Sequence, residues 1–330
     1  MKIKDFITTL KFVGRAIVST DYPLLAHLVV TRCCNLSCAY CNEYDKVSPP
    51  VPLDVMKRRI EALANLKTAM ITCTGGEPLL HPDLAEIISE IRHHGILVTL
   101  ITNGYLLTEE RIKKLNEAGL QSLQISIDNI KPDEVSYKSL KVLDRKLKLL
   151  ADHAKFGVNI NSVLGISDER ALDAITVSER AIHYGFSNSV GLLHDGNGIL
   201  TPLSEKQLAA YNKIGKLSKS FIHYWNHALF QKNLIKGQSN KWKCRAGARY
   251  LYICEDGLVH WCSQQRGYPG IPLEEYTVED IRREFKIQKG CSRHCTVSCV
   301  HQVSFFDEWR SKQPLPDPHD AQLVHITKYR

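Results

Sequence analysis

Residues 26–41 read AHLVVTRCCNLSCAYC. The stretch opens as a short apolar run, 26–31, of the kind a parallel sheet buries on both faces. It then runs straight into three thiols, Cys34, Cys38 and Cys41, at C-x3-C-x2-C spacing. Working outward, the strand pattern recurs at 69–73, 97–102, 122–127, 159–164 and 189–193. Amphipathic stretches separate these runs. Met56, Ile60 and Leu63 fall at helical spacing, 84–91 follows Pro82-Asp83, and further helices are predicted over 108–118, 139–156 and 168–184. Gly95, Gly119, Gly157 and Gly185 each follow one of these helices, where a left-handed C-cap is cheap only for glycine. Six alternating β and α units predict an α/β fold, a partial (β/α)6 parallel barrel over residues 25–200.

Parallel sheets place their chemistry at the C-terminal strand ends. There the sequence puts Arg32-Cys33-Cys34 after the first strand, Thr74-Gly75-Gly76-Glu77-Pro78 after the second, Asn103-Gly104 after the third and Asp128 after the fourth. A helical linker is expected over 201–240, with Phe221, Trp225, Leu229 and Phe230. From 241 to 312 glycine, cysteine and aromatic residues rise and the βα rhythm stops, which predicts a small cysteine-rich domain. A proline-rich tail, 313–330, closes the chain.

The chain has 330 residues, 44% hydrophobic and 24% charged, ordinary values for a soluble globular protein. No apolar run approaches the roughly 18 residues of a spanning helix, and the N-terminus lacks the block and cleavage site of a signal peptide. A cytoplasmic location is the expectation. The net charge of +8 is not gathered into the basic blocks of a nucleic-acid stripe, so no nucleic-acid partner is expected. Eleven cysteines in such a chain point to metal rather than disulfides.

Three thiolates on a short loop suit one face of a cubane iron–sulfur cluster, which normally takes four, and the missing ligand leaves one iron open to a cofactor or substrate. Zinc is the alternative, but it asks for a fourth cysteine or histidine, and no histidine lies close by. Cys33 breaks the spacing and reads as a packed thiol. The motif resembles the signature of the radical S-adenosylmethionine (SAM) superfamily, with Tyr40 as the aromatic residue before the third cysteine and Gly75-Gly76-Glu77-Pro78 as its GGEP motif. The resemblance implies a [4Fe–4S] cluster on Cys34, Cys38 and Cys41 whose open iron chelates SAM, with the GGEP segment holding the SAM amino group. Glycines let the backbone approach the ligand, and Glu77 offers a carboxylate to an ammonium. It also suggests Asn103, and Ser126 or Asp128, as ribose and adenine contacts; capping of the following helices is the other reading of these residues.

The second group comprises Cys244, Cys254 and Cys262, then Cys291, Cys295 and Cys299 at x3 spacing. The segment from Cys244 to Cys262 reads as a β-hairpin turning at Asp256-Gly257. It resembles the C-x(9–15)-G-x4-C half-motif of SPASM and twitch domains, which implies one auxiliary [4Fe–4S] cluster. Its ligands would be Cys244, Cys262 and two of Cys291, Cys295 and Cys299, with Cys295 and Cys299 favoured. Cys254 reads as a strand residue, and zinc is the alternative metal.

Ile3, Phe6, Ile7, Leu10, Val13 and Ile17 recur at helical spacing among Lys2, Lys4, Lys11 and Arg15. This N-terminal amphipathic helix, 1–24, either packs on its own barrel or lies peripherally on an anionic membrane. It is shorter than the leader-binding domain that peptide-modifying relatives often carry, although such domains can be separate chains. The implied function is reductive cleavage of SAM to a 5′-deoxyadenosyl radical and hydrogen abstraction from an unactivated C–H bond. The electron would come from a reductase such as flavodoxin or ferredoxin. A small-metabolite or lipid-like substrate is favoured; the alternatives are a peptide-modifying maturase and a non-enzymatic zinc- or cluster-stabilised binding protein.

Overall fold

The structure, a computed structural model, describes residues 14–165, 167–193, 201–217 and 226–311. Six strands follow one another in parallel pairs: β1 (Leu25–Thr31), β2 (Met70–Gly75), β3 (Leu97–Thr102), β4 (Ser122–Ser126), β5 (Gly157–Leu164) and β6 (Ser187–Leu192). Helices α1 (Leu53–Asn65), α2 (Leu84–His93), α3 (Glu109–Ala118), α4 (Leu140–His153) and α5 (Asp168–His183) supply the crossovers that parallel strands require. Each helix buries one stripe against the sheet. On α1 it is Met56, Ile60 and Leu63, all inaccessible to solvent, and on α4 it is Leu140, Leu143, Leu147 and Leu150. The result is the expected partial (β/α)6 barrel.

Helix ends follow local chemistry. The Thr108 hydroxyl accepts the Arg111 N–H at the start of α3, and Gly119 closes that helix at φ 87°. Gly157 departs from expectation. Helix α4 stops at His153 with Ala154 already extended, and Gly157 is the first residue of β5, paired with Ser122. With the helix ending early, no left-handed cap is needed there.

Beyond β6 come α6 (Glu205–Leu217) and a π-helical turn at Asn226–Gln231; Phe221 and Trp225 lie outside the described residues. The cysteine-rich region then builds directly onto the barrel edge. Strand β7 (Tyr250–Ile253) pairs in parallel with β1, from Leu25↔Tyr250 to Leu28↔Ile253. Strands β8 (Leu258–Cys262) and β9 (Gln265–Pro272) continue antiparallel, giving one nine-stranded sheet in the order β6-β5-β4-β3-β2-β1-β7-β8-β9. The hairpin turns where expected: Gly257 has φ 84°, and its N–H reaches the Cys254 carbonyl at 3.0 Å. Parallel pairing with β1 puts the end of β7 on the same edge of the sheet as the first cysteine loop.

A buried ion pair locks this arrangement. The Arg249 guanidinium, at 0% exposure, donates to Asp307 (2.7 Å), to the Tyr22 carbonyl (3.1 Å) and to the Ala16 carbonyl (2.8 Å). It thereby ties the chain before β1 to the end of α8 (Ser298–Phe305), with α7 (Val278–Lys286) between β9 and that helix. Most of the predicted N-terminal amphipathic helix, and the tail, lie outside the described residues; residues 14–18 are helical. Among the described residues no helix is long and apolar enough to cross a membrane.

Candidate functional site

Strand β1 ends at Thr31, and the loop that follows carries Cys34, Cys38 and Cys41 onto one wall of a cavity. Backbone bonds shape the loop: Cys34 N–H to Asp45 O (3.1 Å), Asp45 N–H to Arg32 O (2.9 Å), and Cys41 N–H to Cys38 O (3.0 Å). The Lys46 ammonium donates to the Cys34 and Leu36 carbonyls, both at 2.8 Å. The Cys33 backbone is a support of the loop, since its carbonyl accepts the Glu77 N–H at 2.9 Å. Burial pushes the Cys41 thiol up to about 11, and burial also raises Cys34 against the pull of the Leu36 N–H. These thiols are protonated when free at neutral pH, so metal loading must displace protons.

The opposite wall shows why glycines follow β2. Gly75 sits at φ 138°, and a Cβ built on it would lie 2.1 Å from the Thr31 carbonyl oxygen. A Cβ on Gly76 would lie 2.3 Å from the Arg32 carbonyl oxygen and 2.4 Å from that of Cys33. Only bare backbone lets the end of β2 press against the cysteine loop. Thr74, Gly75 and Gly76 line the cavity, together with Thr102, Asn103 and Ser126 from the ends of β3 and β4.

Glu77, expected to offer a carboxylate to the SAM ammonium, is at 0% exposure and is not among the residues that line the cavity. Its Oε1 accepts the Thr102 hydroxyl (2.6 Å) and the Leu79 N–H (3.0 Å), and its Oε2 accepts the Asn103 N–H (2.7 Å). Burial raises its carboxyl, and these bonds oppose that shift. Glu77 therefore ties the end of β2 to the end of β3, while buried Pro78 starts a short 3₁₀ turn behind it. Asn103 does reach the site: its amide donates to Asn35 Oδ1 at 2.7 Å and lies 3.8 Å from Cys34 Sγ.

Of the pair Ser126 and Asp128, only Ser126 lines the cavity. Asp128 is fully buried behind it, and its Oδ2 collects the Tyr40 hydroxyl, the Ser136 hydroxyl (2.6 Å) and the Lys138 ammonium (3.3 Å). Tyr40 is thus held by its hydroxyl, and burial pushes that phenol far above its ordinary range. Ser136 also lies 3.6 Å from Cys38 Sγ. Lys138 and Ser136 carry no sequence signal. They sit in the connection between β4 and α4, in no motif, and only the fold brings them to the cysteine loop.

A second tie runs from the loop to the cysteine-rich region. The Tyr252 hydroxyl on β7 donates to Glu43 Oε2, two residues past Cys41. Arg32 faces Glu255 at 3.5 Å, and Arg266 donates to the Asn42 carbonyl at 2.7 Å.

The C-terminal thiols sort themselves by environment. Burial first, then Cys291 and Cys244, push Cys262 well above its ordinary value. Burial and then Cys262, Cys244 and Cys291 do the same for Cys295. Burial raises Cys299 to about 11, opposed by its hydrogen bond to Tyr250. The first turn of α8 holds Cys299 near Tyr250 of β7, whereas Cys291 lies in the preceding 3₁₀ turn (Gly290–His294) and Cys295 caps it. Cys254 follows β7 directly, near Asp256 and His260. His260 Nδ1 accepts the Gly267 N–H at 2.9 Å, which leaves the ring proton on Nε2, the nitrogen that faces Asp256.

A parallel partial barrel with three converging thiols at its C-terminal mouth, facing a glycine-lined strand end, defines a cluster- and nucleoside-binding class of enzyme fold. Residues 28–188 match the model of the radical SAM superfamily. It is 38% identical over 115 residues to the AdoMet-dependent heme synthase of Methanosarcina barkeri, covering 34% of this chain and 33% of that protein. It is 34% identical over 219 residues to the GTP 3′,8-cyclase of Aquifex aeolicus, covering 59% of this chain and 64% of that one. Among solved structures, Streptococcus suis SuiB bound to its precursor peptide SuiA matches 92% of this chain and 77% of its own, with TM-score 0.57 and 15% identity. That likeness shows the fold, and its coverage carries past β6 into the SPASM/twitch-like cysteine-rich region. The matched segments span about a third to two thirds of the sequence relatives' own lengths.

The residues fit the family's cofactors, a [4Fe–4S] cluster and SAM. Among the described residues three thiols and no fourth cysteine line the cavity, and the cradle at Gly75 and Gly76 is one that any Cβ would fill.

Proposed function

We propose that the chain is a radical SAM enzyme that cleaves SAM reductively at a cluster on Cys34, Cys38 and Cys41 and abstracts hydrogen from an unactivated C–H bond of an organic substrate. The observation that carries this reading is the convergence of three thiols, and no fourth among the described residues, on a cavity walled by the bare backbone of Gly75 and Gly76. When bound, these cofactors supply an electron from a flavodoxin- or ferredoxin-type reductase and a carbon-centred oxidant for the C–H bond.

The chain's own residues bind and orient. Cys34, Cys38 and Cys41 hold the cluster, and the backbone of Gly75 and Gly76 lies against the amino-acid end of SAM. Asn103 and Ser126 offer polar contacts to its nucleoside. Tyr40, anchored on Asp128, steadies the cysteine loop between Cys38 and Cys41. Glu77 acts at one remove, fixing the Asn103 backbone that borders the cavity. Cys244, Cys262, Cys291 and Cys295 hold the auxiliary cluster. A small metabolite or lipid-like molecule is the favoured substrate; the fold likeness to peptide-bound SuiB keeps a peptide as the second reading.

Anaerobic reconstitution with iron and sulfide, followed by dithionite and SAM, tests the reading. The expected result is roughly eight irons per chain for two cubane clusters, with release of 5′-deoxyadenosine. Alanine at Cys34, Cys38 and Cys41 should halve the iron and abolish release. Release from that triple variant would overturn the site, and no release from the loaded wild type would leave a binding protein on this fold.

A further inference from the structure

Lys138 is the one cation among the described residues that line the cavity. Its side chain is 14% exposed, its Nζ lies 3.3 Å from Asp128 Oδ2, and it stands 4.9 Å over the Tyr40 ring. The pair it forms with Asp128 is directional. The carboxylate is fully buried and absent from the cavity wall, so Lys138 is the member of the pair that lines the cavity with the thiols. Asp128 Oδ2 also accepts the Tyr40 and Ser136 hydroxyls, which orients the carboxylate and, through it, the ammonium, while Oδ1 is buried without a hydrogen-bond partner. Ser136 in turn touches Cys38 Sγ at 3.6 Å. Glu43, the other charged side chain on the wall, turns its Oε2 to Tyr252 and has Arg32 and Arg266 nearby, but burial outweighs them and raises its carboxyl, and its Oε1 is buried without a hydrogen-bond partner.

Three thiolates bring negative charge to a partly desolvated wall, and one-electron reduction of whatever they hold adds another. The reduction potential of such a centre depends on net charge, hydrogen bonds to sulfur and solvent exposure. A buried cation against it lowers the cost of the reduced state, because the low dielectric leaves the Coulomb term poorly screened. We propose that Lys138, positioned by Asp128, compensates charge at the first cluster and raises its reduction potential. This rests on the function proposed above and names a positioning residue that no motif marks. Satisfying the buried Asp128 is the purely structural role that Lys138 has in any case; charge compensation requires in addition that removing the ammonium moves a potential.

The test uses the full chain, reconstituted and held without SAM, with the potential of the first cluster read by electron paramagnetic resonance during a dithionite titration. The signal is assigned to the first site by its absence in Cys34→Ala. Lys138→Met and Lys138→Gln should load iron and show a more negative midpoint. At the wild-type midpoint, the ratio of reduced to oxidised cluster should fall by about tenfold, the order a buried unit charge exerts over several ångströms. Lys138→Arg should restore most of the shift. An unchanged midpoint in either loaded neutral variant would overturn the proposal. So would failure of both neutral variants to load while Lys138→Arg loads, since that pattern belongs to a structural clamp. If the wild type itself loads no cluster at Cys34, Cys38 and Cys41, the functional reading fails first, and iron analysis shows this before any potential is measured.

Discussion

Replacing Gly76 by alanine places a methyl carbon 2.3 Å from the Arg32 carbonyl oxygen, 2.4 Å from that of Cys33 and 2.6 Å from the Cys33 carbonyl carbon. All three are backbone atoms, so no side-chain rotation relieves the clash. Bringing the contacts out to about 3 Å moves the loop by roughly 0.7 Å, and interiors packed at crystal density resist such shifts. Those same carbonyls accept the Asp45 and Glu77 N–H groups, both at 2.9 Å, and both bonds are strained by the move. Overpacking costs typically about 1–3 kcal/mol, and each weakened backbone bond up to about 1 kcal/mol. The expected destabilisation is thus about 2–5 kcal/mol. Gly95→Ala is the control: unlike Gly76, Gly95 is left-handed, at φ 74°, but a Cβ there meets nothing within 4 Å. It should cost only the conformational penalty, about 1–2 kcal/mol. Urea denaturation of the metal-free chain compares the two, and iron content after reconstitution reads the loop directly. Gly76→Ala should lose the cluster on Cys34, Cys38 and Cys41 while the auxiliary cluster stays. Equal denaturation midpoints for the two variants, with full iron in both, would refute the close approach of β2 to the loop.

Three further substitutions probe other parts of the structure. Cys291→Ser should remove about half of the iron, whereas Cys299→Ser should keep it all; the reverse pattern in iron and sulfide analysis would restore the sequence-based preference. Glu77→Gln turns an amide N–H toward a donor, either Asn103 N–H or the Thr102 and Leu79 pair, at a cost of about 1–3 kcal/mol. Its urea midpoint should drop and its affinity for SAM should weaken, and an unchanged midpoint would argue against the buried tie. Asp307→Ala leaves the Arg249 guanidinium buried without its partner, which typically costs about 3–5 kcal/mol. Thermal unfolding checks this, and a wild-type midpoint would mean that water reaches Arg249.

The barrel was legible because local rules and fold agree along it. The apolar run before Arg32, the stripe of Met56, Ile60 and Leu63, and the Thr108 cap each carry their outcome within a few residues. Gly157 misled because a glycine after a helix and a glycine opening a strand look alike in sequence. The Cys-rich half was harder for a related reason. The x3 spacing of Cys291, Cys295 and Cys299 treats them alike, and only the change from a 3₁₀ turn to α8 separates their directions.

Cys34, Cys38, Cys41, Gly75 and Gly76 were legible as candidate site residues from sequence alone, because ligand number and bare backbone are properties of residue type and spacing. Tertiary structure decided what surrounds them. It made Glu77 a tie between strands, put Asp128 behind the wall, and brought Lys138 and Ser136 beside the cysteine loop. It also laid β7 against β1, so that Tyr252 of one cysteine-rich region holds Glu43 of the other. Burial, and which partner saturates a carboxylate, depend on segments distant in the chain, and no local pattern encodes them.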